Sequence, residues 1–284
     1  MKRNGTASTE IAGFSLVEIA VVLVILSVLI AIVAVPLATQ IEQRRAEETL
    51  RQLEGIKEAL MGFASSKGRL PCPATATSDG QEYFCTTASG GCTATKMEMA
   101  HGRCVAHANS LPGFLPAVTL GISPVDPNGF AIDAWGLSQN RIRYAVANTA
   151  IAVAGTPPAC PVVAGNIFTS STTGMRTATM SCLADNAITL LTICGVTPTG
   201  AVGAATACSA PLATKAPFVL ISLGKNAPVG GTGTDEAHNV DADAYFVSHT
   251  PTLAGSASGE FDDIVTWGSL NTLFARMVQA GKLP

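Results

Sequence analysis

The chain has 284 residues, of which 48% are hydrophobic and only 13% charged, and its formal net charge is -3. That length admits one sizeable domain or two small ones. No basic stripe stands out, so the electrostatic footprint of a nucleic-acid binder is absent and no nucleic-acid partner is expected. The high apolar share has two sources, a run near the N-terminus and a downstream region rich in Ala, Thr, Gly and Val.

A short polar leader containing Lys2 and Arg3 ends at Gly13. The apolar run Ile19–Leu37, broken only by Ser27 and Pro36, is just long enough at about 1.5 Å per residue to span a hydrocarbon core. Lys2 and Arg3 would stay cytoplasmic under the positive-inside rule, which exports the remainder of the chain. An ordinary signal peptide places its apolar core before a small-residue cleavage site. Here the polar leader comes first. Glu18 stands at the entry to the run, where a carboxylate in lipid costs a few kcal/mol. It therefore either snorkels at headgroup level or meets a positive partner. Pro36 removes a helical hydrogen bond, which kinks the helix at the membrane exit or lets it loosen.

Beyond Pro36, Ile41, Leu50, Leu53, Ile56, Leu60 and Phe63 recur at helical steps, predicting an amphipathic helix over 39–69 that continues the first. Its polar surface carries Arg44, Arg45, Glu47, Glu48, Arg51 and Glu54, and Glu47 and Arg51 can pair at i,i+4. Gly68 and Pro71 end it. The combined helix would be about 80 Å long. Residues 72–110 read as loop. "RIRYAV" after the turn "DAWG" reads as a strand, as do "APFVLISLG", "AYFVSHT" and "FDDIVTW", and "GSLNTLFARMVQAGKLP" reads as a C-terminal helix. Residues 150–215 read as an insertion of strands and loops.

Eight cysteines, Cys72, Cys85, Cys92, Cys104, Cys160, Cys182, Cys194 and Cys208, all follow the apolar run. An even number in an exported domain predicts disulfides. They fall into clusters at 72–104 and 160–208 separated by a good core segment, so bridges are expected within each cluster.

The segment "GFSLVE" at 13–18 resembles the cleavage and methylation motif of type IV pilins and of the pseudopilins of type II secretion. The resemblance implies cleavage after Gly13 by a prepilin peptidase and N-methylation of Phe14. It makes Glu18 an assembly contact, pairing with the α-amino group of a neighbouring subunit. It also implies an α+β fold: a long N-terminal helix packed on an antiparallel sheet with disulfide-stapled loops. The domain plan follows: leader 1–13, transmembrane and assembly helix 14–38, amphipathic helix 39–69, and extracytoplasmic head 70–284 with 150–215 inserted. "DAWGLSQNRIRYAV", "FVLISLGKN" with the glycine-rich acidic loop after it, and "FDDIVTW" further resemble the major pseudopilin, in which the acidic loop binds calcium. The longer spacing between the first two strands points to a relative rather than the major pseudopilin itself.

Calcium is the cofactor this implies. Asp235, Glu236, Asn239, Asp241 and Asp243 supply hard oxygen ligands in one loop, and Asp262 and Asp263 could close the site. The competing reading is a solvated acidic loop. No nucleophile elbow, metalloprotease motif or phosphate loop occurs, since "GSASG" puts Ala257 where a serine would stand, so no enzyme is expected. The expected function is that of a structural subunit, a minor or specialised pilin. Its partners would be other pilin subunits, the prepilin peptidase, an inner-membrane assembly platform and, before assembly, the lipid bilayer. The expected location is the bacterial inner membrane with the head in the periplasm, then the pilus or pseudopilus. The alternatives are a tip-located adhesin and an anchored exported domain that never polymerises.

Overall fold

The structure is a computed structural model that describes residues 15–88, 90–105, 112–148, 166–171, 174–184, 190–229 and 233–283, the side chains of 31–38, Ser181, Ala184 and Val229 excepted. Gly13, Phe14 and Cys160 lie outside the described residues. The chain divides into two units, 1–45 and 46–284.

Helix α1 (Leu16–Lys67) is the longest element. It stops where Gly68 adopts φ +77° and donates its N–H to Ala64 O at 2.8 Å, a left-handed turn that glycine makes without strain. In the first unit the large apolar side chains from Leu16 to Ile30 are each 48–86% exposed, on every side of the helix. Among the described residues no helix is long and apolar enough to cross a membrane. The run expected to do so continues through 31–38, whose side chains are outside the described set.

In the second unit, α1 buries Thr49, Leu53, Ile56, Leu60, Met61 and Ala64, while Ile41 of the first unit and Leu50 of the second, expected on the same apolar stripe, are exposed. Thr49 replaces Leu50 on the buried side because its hydroxyl accepts the Ala134 N–H at 3.2 Å.

After α1 come β1 (Phe84–Cys85), β2 (Ala94–Thr95), β3 (Gly113–Phe114), α2 (Ala117–Leu120) and β4 (Arg143–Val146). Short helices α3 (Gly174–Thr177) and α4 (Met180–Ala184) precede β5 (Leu191–Cys194), β6 (Thr199–Ala201), β7 (Ala204–Ala207), β8 (Pro211–Ala216) and β9 (Phe218–Ser222). Helix α5 (Thr234–Asn239), β10 (Tyr245–Val247), β11 (Ile264–Trp267) and α6 (Leu270–Gln279) complete the chain.

A four-stranded antiparallel sheet has the order β11-β9-β4-β3. Its register sets Tyr144 opposite Leu220 and Arg143 opposite Ile221, with Val265 opposite Ile221 and Thr266 opposite Leu220. Side chains alternate along a strand, so Tyr144, Leu220 and Thr266 share one face and Arg143, Ile221 and Val265 the other. On the first face, Leu53, Ile56 and Leu60 join Tyr144 and Leu220 in one core. Thr266 Oγ1 donates to Glu54 at 3.2 Å, and Tyr144 OH donates to Pro71 O at 3.1 Å.

The fold is α+β with antiparallel sheets and disulfides. The expectation of a single antiparallel sheet needs correction. A second sheet has the order β10-β5-β8, in which β10 and β5 run parallel and β5 and β8 antiparallel. Its central strand β5 comes from the region read as an insertion. The run "LLTIC" is apolar throughout, and Leu191, Ile193 and Cys194 are fully buried, so it needs a neighbour on both edges and cover on both faces. Ile167, Phe168, Met175 and Leu183 of the same region enter the main core.

Cys72–Cys104, Cys85–Cys92 and Cys194–Cys208 are bridged, each within its sequence cluster. Cys182 is disulfide-bonded too.

Candidate cation site and the helix N-terminus

The N-terminal motif has one described side chain that carries chemistry. Glu18 Oε2 accepts the Ser15 N–H at 3.0 Å, and Ser15 Oγ accepts the Glu18 N–H at 3.2 Å. This is a reciprocal capping box, in which each residue's side-chain oxygen accepts the other's backbone amide, neither of which has a helical partner. Within one chain, then, Glu18 has a local role that the sequence reading missed, although "SLVE" has the S-x-x-E spacing that signals it.

The acidic segment is not a loop throughout. Helix α5 runs through it, started by Glu236 Oε2 accepting the Gly233 N–H at 3.2 Å. The helix and the bend that follows it at 240–244 then sort the residues that the sequence grouped together. Glu236, Asp262 and Asp263 converge, one oxygen of each lying within 4.8 Å of the others. Asp241 and Asp243 converge instead with His238. Asp235 leaves both groups, its Oδ2 lying 3.1 Å from His249 Nε2, whose ring stacks on Phe261 at 4.0 Å. Asn239 serves as a brace rather than a ligand. Its amide pairs with both backbone groups of Val247, at 2.7 and 3.1 Å, and donates to Asp263 Oδ2 at 2.8 Å.

The two triads differ in what they already hold. Asp241 accepts the amides of Gly203 and Asp243, at 2.7 and 3.0 Å, and lies 3.0 Å from His238 Nδ1. Asp243 accepts those of Ala205 and Tyr245, each at 2.8 Å. These carboxylates clamp the β6–β7 hairpin onto the end of α5.

Around Glu236, whose own oxygens accept from Gly233, Asn226 and Asp262, two neighbouring oxygens stay unused. Asp262 Oδ2 accepts the amides of Lys225 and Asn226, at 3.0 and 3.2 Å, while its Oδ1 is buried without a partner. Asn226 donates Nδ2 to Glu236 Oε1 at 2.7 Å, and its buried Oδ1 likewise has no partner. Burial, with Glu236 adding like charge, pushes the Asp262 carboxyl up to about 6. Burial also holds Asp263 well above the usual carboxylate range, with Glu236 and Asp262 adding to it. Close carboxylates with raised pKa values and orphaned oxygens form a hard-donor set that a proton or a cation must neutralise. The set therefore fits Ca²⁺ by donor type, with Asn226 a member the sequence reading did not select.

The "DAWG" turn and the strand ending "SLG" meet beside this site. Buried Asp133 accepts the Trp135 N–H at 2.9 Å, the Ser222 hydroxyl at 2.5 Å and Asn140 Nδ2 at 3.1 Å. Asn140 Nδ2 also donates to Gly224 O. Gly224 has φ +61°, and an added Cβ would lie 2.3 Å from Asp262 Oδ1. Only glycine lets the chain turn there and leaves room for the Asp262 carboxylate. Set against known proteins, the chain matches no family model, no curated protein and no solved structure.

Proposed function

We propose that this chain is a prepilin-like structural subunit, processed at Gly13–Phe14, anchored by its N-terminal helix and assembled through that helix into a type IV pilus or pseudopilus. The observation that carries this reading is the helix Leu16–Ile30, whose large apolar side chains are exposed on every side immediately after "GFSLVE". A helix apolar all round is stable only when surrounded, by lipid or by other apolar helices. The disulfide-stapled α+β head is consistent with export to an oxidising compartment.

In the same reading the triad Glu236, Asp262 and Asp263, with the Asn226 carbonyl oxygen, holds Ca²⁺. The cation would neutralise the carboxylates and so fix α5 against the segment that enters β11. Glu236 comes from the helix, while Asp262 and Asp263 come from that segment.

The test is the intact mass and N-terminal sequence of membrane-extracted protein from cells with and without the prepilin peptidase. A chain beginning at N-methyl-Phe14 only when the peptidase is present is the expected result. A chain still beginning at Met1 in both backgrounds would falsify the reading.

A further inference from the structure

The sheet face that bears Asp263 also bears an arginine with no charge opposite it. Arg143 leaves β4 on the side away from α1, with its guanidinium 4.3 Å from the Phe114 ring centroid. Its Nε is buried and has no hydrogen-bond partner. Its neighbour Arg141 is satisfied by Asp126 at 2.7 Å. No carboxylate among the described residues pairs with Arg143 in the same way. Burial, and secondarily the charge of Arg141, lowers its pKa. A guanidinium whose Nε is shut off from water without a partner, with an aromatic ring on one side, is disposed to take an anion.

Arg143 lines a cavity of about 240 Å³. Leu223, Ala227 and Val240 supply apolar wall, and Glu236 and Asp263 also line it. Arg143, Ile221 and Val265 stand in one cross-strand row, and Asp263 lies two residues before Val265. At about 4.8 Å between strands and 3.4 Å per residue, the α carbons of Arg143 and Asp263 are roughly 12 Å apart. The cavity thus has a cationic end, an apolar middle and an acidic end. A cavity of about 150 Å³ takes a benzene ring, so this one has room for a somewhat larger body.

We propose that this cavity binds a small organic carboxylate with a branched apolar body. The carboxylate sits on the Arg143 guanidinium and the body lies against Leu223, Ala227 and Val240. A plain carboxylic acid and an α-amino acid share this chemistry. They differ in whether an ammonium group also reaches Glu236 and Asp263.

The experiment is isothermal titration of the full chain in detergent with isovalerate, leucine and isoamylamine, each in calcium and in chelator. Both acids are expected to bind and the amine not to bind. Arg143→Met should weaken both acids by at least about 10-fold, the worth of one charge-assisted contact. Val240→Phe fills the cavity from the apolar wall without altering a charge and should weaken them similarly. It carries the test if Arg143→Met does not fold. Leucine binding more tightly than isovalerate only in chelator assigns the ammonium to the acidic end, whereas equal affinities leave the site to Arg143 alone. Amine binding as strong as acid binding, or no saturable heat from either acid at millimolar concentration, overturns the proposal. Calcium titrated alone into the same protein reads the cation site separately, so either site can fail without the other.

Discussion

Glu18 and Ser15 cap each other's amides at the start of α1, at 3.0 and 3.2 Å. This local bond competes with the proposed assembly role for the same carboxylate, and side-chain chemistry can separate the two. Glutamine keeps the acceptor that caps the helix but removes the charge that would attract a neighbouring α-amino group. Glu18→Gln is therefore expected to leave export and helix content unchanged and to abolish recovery of fibres from sheared cells. Glu18→Ala should in addition lose about 1 kcal/mol of helix stability. Normal fibre yield from the glutamine variant would make the cap the whole role of Glu18.

Burial raises Asp262 from an ordinary 3.8 to about 6 and Asp263 well above its usual range. A raised carboxyl pKa means the folded state holds its proton more tightly than the unfolded one. The resulting stability is complete below about 4 and disappears as the pH rises through about 6. Glu98 and Asp126 are shifted downward and pull the other way, so the readout is the difference from Asp262→Asn. In chelator, the wild type should lose roughly 1–2 kcal/mol relative to that variant between pH 4 and pH 7, a value reduced for the partial exposure of Asp262. Saturating calcium should reverse the loss at pH 7 and do little at pH 4. Thermal melts at both pH values check this, and identical curves with and without calcium would remove the cation from the site.

Arg69 is 1% exposed and holds Glu82 at 2.8 Å and Glu98 at 2.9 Å. Its guanidinium lies 5.2 Å from each of the Phe63 and Phe84 ring centroids. It ties the end of α1 to the disulfide-bridged segment. Arg69→Met strands Glu82 as a nearly buried charge and should cost about 3–5 kcal/mol in denaturant melts. Adding Glu82→Gln should recover much of that loss, because the stranded charge is then gone. A double variant no more stable than the single one would place the cost in packing alone.

The three bridges described close segments of different length, with sequence separations of 32, 14 and 7. Loop-closure entropy ranks them in that order. Replacing Cys72 and Cys104 by alanine should cost roughly 1 kcal/mol more than replacing Cys85 and Cys92. Chemical denaturation of the paired-alanine variants gives the ranking, and an inverted order would show that packing around the bridges outweighs chain entropy.

Local chemistry made part of this protein legible. Gly68 marked the stop of α1 because only a residue tolerant of positive φ turns the chain there. "FVLISLG" marked β9 and "GSLNTLFARMVQAGKLP" marked α6, whose buried Leu270, Leu273, Phe274 and Met277 recur at helical steps. The two cysteine clusters anticipated that the three bridges described would stay local. Helix α5 was hidden among glycines and acids that read as loop, since its capping acceptor, Glu236, looked like one more candidate ligand. The parallel pairing of β5 with β10 was hidden because it joins segments some fifty residues apart.

By itself the sequence carried the segment "GFSLVE", the apolar run after it, the two cysteine clusters and the inventory of acidic residues, since each rests on composition or on neighbours a few positions away. Only the tertiary structure decided which acids work together. Helix α5 set Glu236 toward Asp262 and Asp263, and the bend after the helix gave Asp241 and Asp243 to the hairpin. Strand register put Arg143 and Asp263 on one face of one sheet. Burial then shifted the carboxyl pKa values, because desolvation acts on a charge only once the folded chain has removed the water around it.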